Sequence, residues 1–541
     1  MRISRHTSRR ILPFLLLALA NPAPLTHAKV TLAPLFQDRA VLQRDTPLPV
    51  WGTADPGEKV TLTYTSPTLV RTATATATDD GRWQTTLAPL PAESASATLT
   101  AEGTNKLART DILVGDVWLA SGQSNMEWAL GWGTRVLNAR DEIAAANSPH
   151  IRQFKIKNVV ADAPRDTLPG EWRPGIPRSM VNYSAVAWFF ARELHQKLGI
   201  PIGIINSTWG GSQIESWIPA AALASDPSAP AVRKRWDDML AAYPEKMTRY
   251  EEAKAGWDAA KAAASAAGQP FTKQPPFKPN GPGSLHTPSG LYNAMIHPLV
   301  PGALRGIIWY QGESNSGRPG EYRTLFPTLI RGWRAAFAQG DLPFYWVQLA
   351  NYAGNGAQKT DWAELREAQS SALVLPATGQ AIAIDIGESG NVHPANKQEA
   401  GRRLALLALA RAYGQTDVID SGPTFVRADF QPDDSVRIHF SNTHGGLVSA
   451  TAPAPGAASG AGAAAAAGAA TIGGFELARA DRVFCPADET RIDGDAVIVR
   501  STKITRPEAV RYAWRNDPKP SPALANGAGL PAAPFRTDSW Q

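Results

Sequence analysis

The sequence predicts an α/β protein: a parallel sheet in a three-layer sandwich, flanked by N- and C-terminal regions of β-sandwich or jelly-roll type. Three observations carry this. Between about residues 112 and 414, apolar runs of strand length alternate with helical stretches, the rhythm of a parallel sheet covered on both faces. Before that, short alternating polar and apolar runs separated by turn residues indicate strands alone. After about residue 415 the β character returns. At 541 residues the chain is long enough for two or three such regions.

The first 28 residues stand apart. Arg2, Arg5, Arg9 and Arg10 precede a short apolar core, Ile11 to Ala20, and the segment closes on the small residue Ala28. This is the layout of a secretory signal peptide, with an apolar part too short to span a bilayer. The expectation is an exported protein, periplasmic or secreted, with no membrane association once the signal is removed. Four of the charges behind the formal +6 leave with it. No dense Lys/Arg stripe is left, which argues against a nucleic-acid partner. Cys485 is the only cysteine, so an intrachain disulfide is excluded. No CxxC or HExxH spacing occurs, and neither a metal nor another cofactor is expected.

Residues 29–111 form the N-terminal β-sandwich expectation. Lys59 to Tyr64 alternates polar with apolar, Arg71 to Thr78 alternates Thr with Ala, and Asp79-Asp80-Gly81 marks a turn. In the central region, 112–414, strands are expected at Asp116–Ala120, Ile202–Asn206, Gly306–Tyr310, Phe344–Leu349 and Ala381–Ile386. Helices are expected at Ser184–Leu198, Glu321–Phe337, Trp362–Leu373 and Asn396–Tyr413. An insertion, 221–284, begins rich in Ala, Lys and Glu, which favours helix, and ends in a Pro-rich connector that cannot be helical. So long an excursion is either a wall or lid of the active site or a surface ornament. Residues 415–541 are β-rich, with strands expected at Val436–Phe440, Asp495–Ser501 and Val510–Trp514. The Ala/Gly-rich stretch 452–474 has too little apolar bulk to pack and is expected to be a disordered loop.

The chemistry lies where polar residues follow the strands of the central region. After the first comes Ser121-Gly122-Gln123-Ser124-Asn125-Met126, and after the second Trp209-Gly210-Gly211-Ser212-Gln213. The third is followed by Gln311-Gly312-Glu313-Ser314-Asn315, and the fifth by Asp385 through His393. In an open parallel sheet these carboxyl ends share one edge, where ligands bind. A hydroxyl, glycine amides, side-chain amides and an imidazole therefore converge.

A serine hydroxyl needs a base to become a nucleophile, and histidine titrates near working pH. Of the histidines beyond the signal, only His393 follows the last strand with acids close before it. A carbonyl under attack develops a negative oxygen that fixed N–H donors stabilise. The Ser124 N–H, a glycine N–H at 210 or 211, and the amide of Gln311 or Asn315 are the candidates. The Ser124 context is not the Gly-x-Ser-x-Gly elbow of the α/β-hydrolases, because Met126 holds the fifth position. Glu313 and Glu215 are as well suited to be partners of arginines as to act catalytically. Trp128, Trp132, Trp209, Trp217 and Trp309 can serve either as stacking platforms or as core.

The segments GDVWLASGQSNMEW, GIINSTWGGSQIESW, GIIWYQGESN and DIGESGNVHPANKQEAGRRLA resemble the SGNH hydrolases. Within them they resemble the sialate O-acetylesterases and related acetylxylan or xyloglucan acetylesterases. The resemblance implies an SGNH-like, flavodoxin-like sheet and a carbohydrate O-acetylesterase acting on an acetylated oligosaccharide. It implies Ser124 as nucleophile and His393 as general base. It also implies an oxyanion hole of the Ser124 N–H, a Gly210 or Gly211 amide and Gln311, with Asn315 in support. Many SGNH enzymes carry an aspartate three residues before the histidine, and here that position is Gly390. The orienting acid is then Glu388, whose longer side chain can bridge the loop, or Asp385. Failing both, the Gly390 carbonyl orients a Ser–His dyad. The competing class is a non-catalytic glycan-binding protein on the same fold; retention of Ser124, His393 and both amide motifs favours the enzyme. A neutral plant hemicellulose is the expected substrate, with sialate as the alternative.

Overall fold

Alternation along the N-terminal stretch becomes a set of strands, in a computed structural model that describes residues 29–133, 135–354, 356–449, 472–519 and 521–540. The expected signal peptide at 1–28 lies outside the described residues. So does the expected Ala/Gly loop except for its last three residues, where Ile472 is buried and its N–H bonds the Thr490 hydroxyl.

The strands are β1 (Val41–Gln43), β2 (Leu48–Thr53), β3 (Lys59–Thr65), β4 (Val70–Thr76), β5 (Arg82–Leu87) and β6 (Glu93–Glu102). In β3 the period of two puts Val60, Leu62 and Tyr64 into the core while the intervening Thr and Lys face outward. The next strand, β7 (Lys106–Gly122), is 17 residues long and serves two sheets. Its first half pairs antiparallel with β6, and from Asp116 onward it pairs parallel with the strands on either side of it in the central sheet.

The central region continues with α1 (Ser124–Glu127), α2 (Ala139–Ala145), β8 (Ser148–Ile156), β9 (Gly170–Gly175), α3 (Pro177–Met180), α4 (Ala185–Leu198) and β10 (Ile202–Thr208). Then come α5 (Ala220–Ala224), α6 (Ala229–Ala266), β11 (Gly306–Tyr310), α7 (Pro319–Phe337), β12 (Phe344–Val347), α8 (Asp361–Ser370), β13 (Thr378–Ala381) and α9 (Lys397–Leu407). The sheet order is β13-β12-β11-β7-β10-β8-β9, parallel except for the β8–β9 pair. Trp309, Phe344 and Phe326 pack on the side of α7, with Trp333, while Trp118 packs against Phe190 of α4 and Tyr345 on the other. Helices α4 and α9 pack together on that second face. The expected α/β architecture with a parallel sheet is therefore observed.

Two details differ from expectation. The strand expected at Ala381–Ile386 lies at Thr378–Ala381, and the residues beyond it already belong to the loop that carries the histidine. Strands β8 and β9 escaped notice because β8 buries Arg152 and Gln153. Arg152 is satisfied by Asp111 and by the carbonyl of Pro149, and Gln153 accepts from the N–H of Ser184. Polar residues paired inside the core break the apolar pattern that marks a strand.

The insertion is one long helix, α6, whose only buried residues are Ala229 and Val232. Its Pro-rich return lies along it: Trp257 donates to the Lys273 carbonyl at 2.8 Å and meets Phe271 edge-on. Near its base Arg235 forks onto Glu321 at 2.7 Å. The C-terminal strands lie at Thr424–Phe430, Val436–Ser441, Glu489–Asp493 and Ala496–Arg500 in one antiparallel sheet, with Ala509–Tyr512 in another. Their core includes Ile382 and Ile384 from just beyond β13. No helix among the described residues is long and apolar enough to cross a membrane.

Candidate active site

Strands β10, β7 and β11 are neighbours, so the motifs at their carboxyl ends meet. Gly122 has φ +132°, and a Cβ there would lie 2.2 Å from the Tyr310 carbonyl oxygen. Only glycine lets β7 pass so close to β11 and turn at once into α1. Ser124 is the first residue of that turn. Its Oγ lies 2.9 Å from His393 Nε2, although 269 residues separate the two.

The imidazole packs against the Trp128 ring, with centroids 4.6 Å apart. Burial, reinforced by the positive charges of Lys397 and Arg135, pushes its pKa down to about 4. A neutral ring with its proton on Nδ1 can take the hydroxyl proton through Nε2.

The His393 loop holds itself in place. Asn391 accepts from the His393 N–H at 3.0 Å and donates to the His393 carbonyl at 2.8 Å. Glu388, expected as the orienting acid, does not reach the imidazole. Its carboxylate accepts from the Ala395 N–H at 2.7 Å and from Asn391 Nδ2 at 3.1 Å, which ties the two ends of the loop together. Asp385 is taken up by a two-pronged bond to Arg403, at 2.6 and 2.7 Å. Among the described residues nothing hydrogen-bonds His393 Nδ1. The arrangement is a Ser–His dyad, and the assignment of Glu388 is revised from orienting acid to loop clasp.

The oxyanion donors need a similar revision. Gln311 is fully buried, donating to the Ser212 carbonyl and to Asn315 Oδ1 while accepting from Tyr322 Oη. Asn315 also accepts from the Ile214 N–H at 3.0 Å and donates to Glu215 at 2.9 Å. Both amides are spent on joining the β10 and β11 loops, so neither is free to face a substrate. The Gly210 N–H is bound at 2.6 Å by Glu127, a carboxylate also approached by Lys155. Gly211, with φ +78°, is exposed and its N–H carries no such bond among the described residues. Ser124 and Gly211 are the donors left from the expected set.

Glu215 does act as an arginine partner, at 3.4 Å from Arg235 and 3.5 Å from Arg318. Glu313 does not: Asn125 donates to it at 2.5 Å. Trp217 and Trp309 are core, whereas Trp132 is 48% exposed and meets Trp128 edge-on at 5.7 Å. An exposed indole beside the dyad can stack on a sugar face.

Three residues that sequence reasoning did not single out belong to the site: Asn125, Glu127 and Lys397. Each sits inside a quoted motif, GQSNMEW or HPANK, one to four residues from Ser124 or His393. That proximity was the available signal.

The chain resembles known proteins over most of its length. The family described as carbohydrate esterase, sialic acid-specific acetylesterase, matches residues 280–410. The sialate O-acetylesterase of Mus musculus is 31% identical over 407 residues, 69% of this chain and 72% of that protein. That of Homo sapiens is 28% identical over 69% of each chain. The crystal structure of a carbohydrate acetylesterase from Xanthomonas citri superposes with a TM-score of 0.76 at 38% identity, over 95% of this chain and all of that one. A mixed α/β fold shared over nearly its whole length, and identity spread over two thirds of it, place this chain in the sialate O-acetylesterase family, as a carboxylic ester hydrolase of acetylated carbohydrate.

Proposed function

We propose that the chain removes acetyl groups from glycans through an acetyl-enzyme on Ser124. His393 takes the Ser124 proton as Oγ attacks the acetyl carbonyl. The N–H groups of Ser124 and Gly211 receive the negative oxygen. Collapse breaks the ester bond, His393 returns the proton to the departing sugar hydroxyl, and the acetyl group stays on Oγ. A water, deprotonated by the same imidazole, then releases acetate and restores the serine. The 2.9 Å contact between Ser124 Oγ and His393 Nε2 carries this reading. A serine-directed phosphonate should label Ser124 and abolish hydrolysis; an unlabelled Ser124 in an inhibited or untouched enzyme overturns it.

For the substrate, a neutral hemicellulose oligosaccharide of xyloglucan or xylan type is the first reading. Arg318 and Arg323, which follow the QGESN loop, are paired with Glu215 and Glu367 and offer no open fork for a carboxylate. One observation favours sialate instead. Arg135 is exposed, lies over the Trp128 ring at 5.5 Å, and has no carboxylate partner among the described residues. Acetate release from acetylated xyloglucan, acetylated xylan and O-acetylated sialic acid, by the native chain and by Arg135→Ala, separates the two. A loss confined to the sialic acid supports the acidic sugar. We further propose export after cleavage behind Ala28, which N-terminal sequencing of the mature protein tests.

A further inference from the structure

The chemistry above leaves one buried cluster unused. Lys397, the first residue of α9 and four residues beyond His393, is 1% exposed. Its ammonium donates to Asn125 Oδ1 and sits 5.7 Å from the centroid of the Tyr310 ring. Asn125 is itself buried and directly follows Ser124. Its Nδ2 donates to Glu313 Oε1 at 2.5 Å and to the carbonyl of Val392, the residue before His393, at 3.0 Å. The other oxygen of Glu313 is buried with no hydrogen-bond partner.

An ammonium can only donate, and a carboxylate and a carbonyl can only accept. The two charged groups and Val392 therefore allow the Asn125 amide one orientation. We propose that Lys397 is a positioning residue of the hydrolysis, whose ammonium fixes the Asn125 side chain that links the Ser124 turn to the His393 loop. A buried charge is costly where an apolar side chain would pack as well, and what this one holds is the amide of the residue after Ser124, which bonds the residue before His393. The proposal rests on the Ser124–His393 reading.

The charge acts on the base as well. The groups facing the imidazole are the cations Lys397 on α9 and Arg135 beyond α1, with Glu388 on its own loop and Glu313 behind Lys397. Burial pushes Lys397 down to about 7 against the attraction of Glu313 and Glu388, and it pushes Glu313 up. Removing the ammonium lets the imidazole bind a proton more readily.

The test uses the full chain and p-nitrophenyl acetate, with kcat, KM and the pH profile measured for Lys397→Met and Asn125→Ala. Because Lys397→Met leaves Glu313 alone in the core, Lys397→Met with Glu313→Gln provides a charge-neutral second variant. Expected is a fall in kcat of about 10–100-fold, with KM within about twofold. The acid limb of kcat/KM should move to higher pH in both Lys397 variants and stay put in Asn125→Ala, which keeps the ammonium. A purely structural lysine would lower the active fraction, titrated with the phosphonate, without moving that limb. Folded Lys397 variants with native kcat and an unmoved limb overturn the proposal, while an inactive Ser124→Ala in the same series leaves the dyad standing. Activity in folded Ser124→Ala removes both.

Discussion

Two loops at the same edge of the sheet use polar residues in opposite ways. The one after β11, Gln311 to Asn315, turns its amides inward: the side-chain nitrogen and oxygen of Gln311 and of Asn315 each meet another protein group, and both side chains are essentially inaccessible. The one after β13, Gly387 to Asn396, uses Asn391 and Glu388 to clasp its own backbone and so leaves His393 free to meet Ser124. The first is scaffold and the second presents a reagent. Position at the carboxyl edge therefore does not by itself decide chemical role; what decides it is whether the polar atoms have already found partners.

The comparison can be broken most directly at the reagent. Ser124→Ala should lower kcat by at least about 10³-fold in a protein whose circular dichroism and melting temperature are unchanged. Near-native turnover would mean that the contact with His393 is incidental. The second test is pH. An imidazole held near 4 is unprotonated at neutral pH, so kcat/KM should fall through about 4 as the base takes up a proton and level off above about pH 5, until the Lys397 ammonium, held near 7, begins to lose its proton. A midpoint near the ordinary histidine value would show that the ring is less enclosed than its packing against Trp128 indicates.

Glu388→Gln sharpens the contrast within the second loop. A carboxylate that only clasps backbone and Asn391 should cost about tenfold or less in kcat/KM, through a looser loop. A loss approaching that of His393→Ala would restore it to the role of orienting acid. The smallest effect on turnover is expected in the first loop. Asn315→Ala removes the partner of Glu215 Oε2 and leaves the Ile214 N–H unpaired, which should cost about 1–3 kcal/mol of stability and lower the melting temperature. Its kcat per active site, counted by phosphonate titration, should stay within about threefold. A large loss of kcat with unchanged melting would return Asn315 to the oxyanion hole.

Ser124 and His393 were legible as candidates because each follows a strand of the central sheet, and the 2.9 Å contact between them sets them apart from the other polar residues at that edge. Gln311 and Asn315 were legible as members of the edge but not as scaffold, since their partners, Tyr322, Ser212, Ile214 and Glu215, come from other segments. Spacing placed Glu388 within reach of His393, but the short bridge between Glu388 and Asn391 turns the carboxylate back onto the loop. Lys397 was hidden for a related reason. A lysine at the start of a helix reads as solvent-facing, and only Asn125 and Tyr310, from distant segments, show that it is enclosed. Helix α4 shows the reverse case, since its boundaries are local chemistry. Ser184 caps its start by accepting the Ala187 N–H, and Gly199 ends it in the left-handed region, so both limits could be read directly.

Strand β7 has a consequence for how the molecule comes apart. It is the seam of two sheets, running from Lys106 beside β6 to Gly122 beside β10 and β11, with a bulge at Asp111 (φ +56°) where the register with β6 shifts, and Ser124 follows two residues later. Melting the N-terminal sheet would expose one half of a strand whose other half lies at the centre of the catalytic sheet. The two regions should therefore unfold in a single calorimetric step rather than in sequence. A fragment beginning at residue 112 would start in mid-strand, with Ile112 and Leu113 stripped of the neighbours that bury them. The β-rich N-terminal region is in this sense a permanent wall of the enzyme and cannot be trimmed away as an appendage.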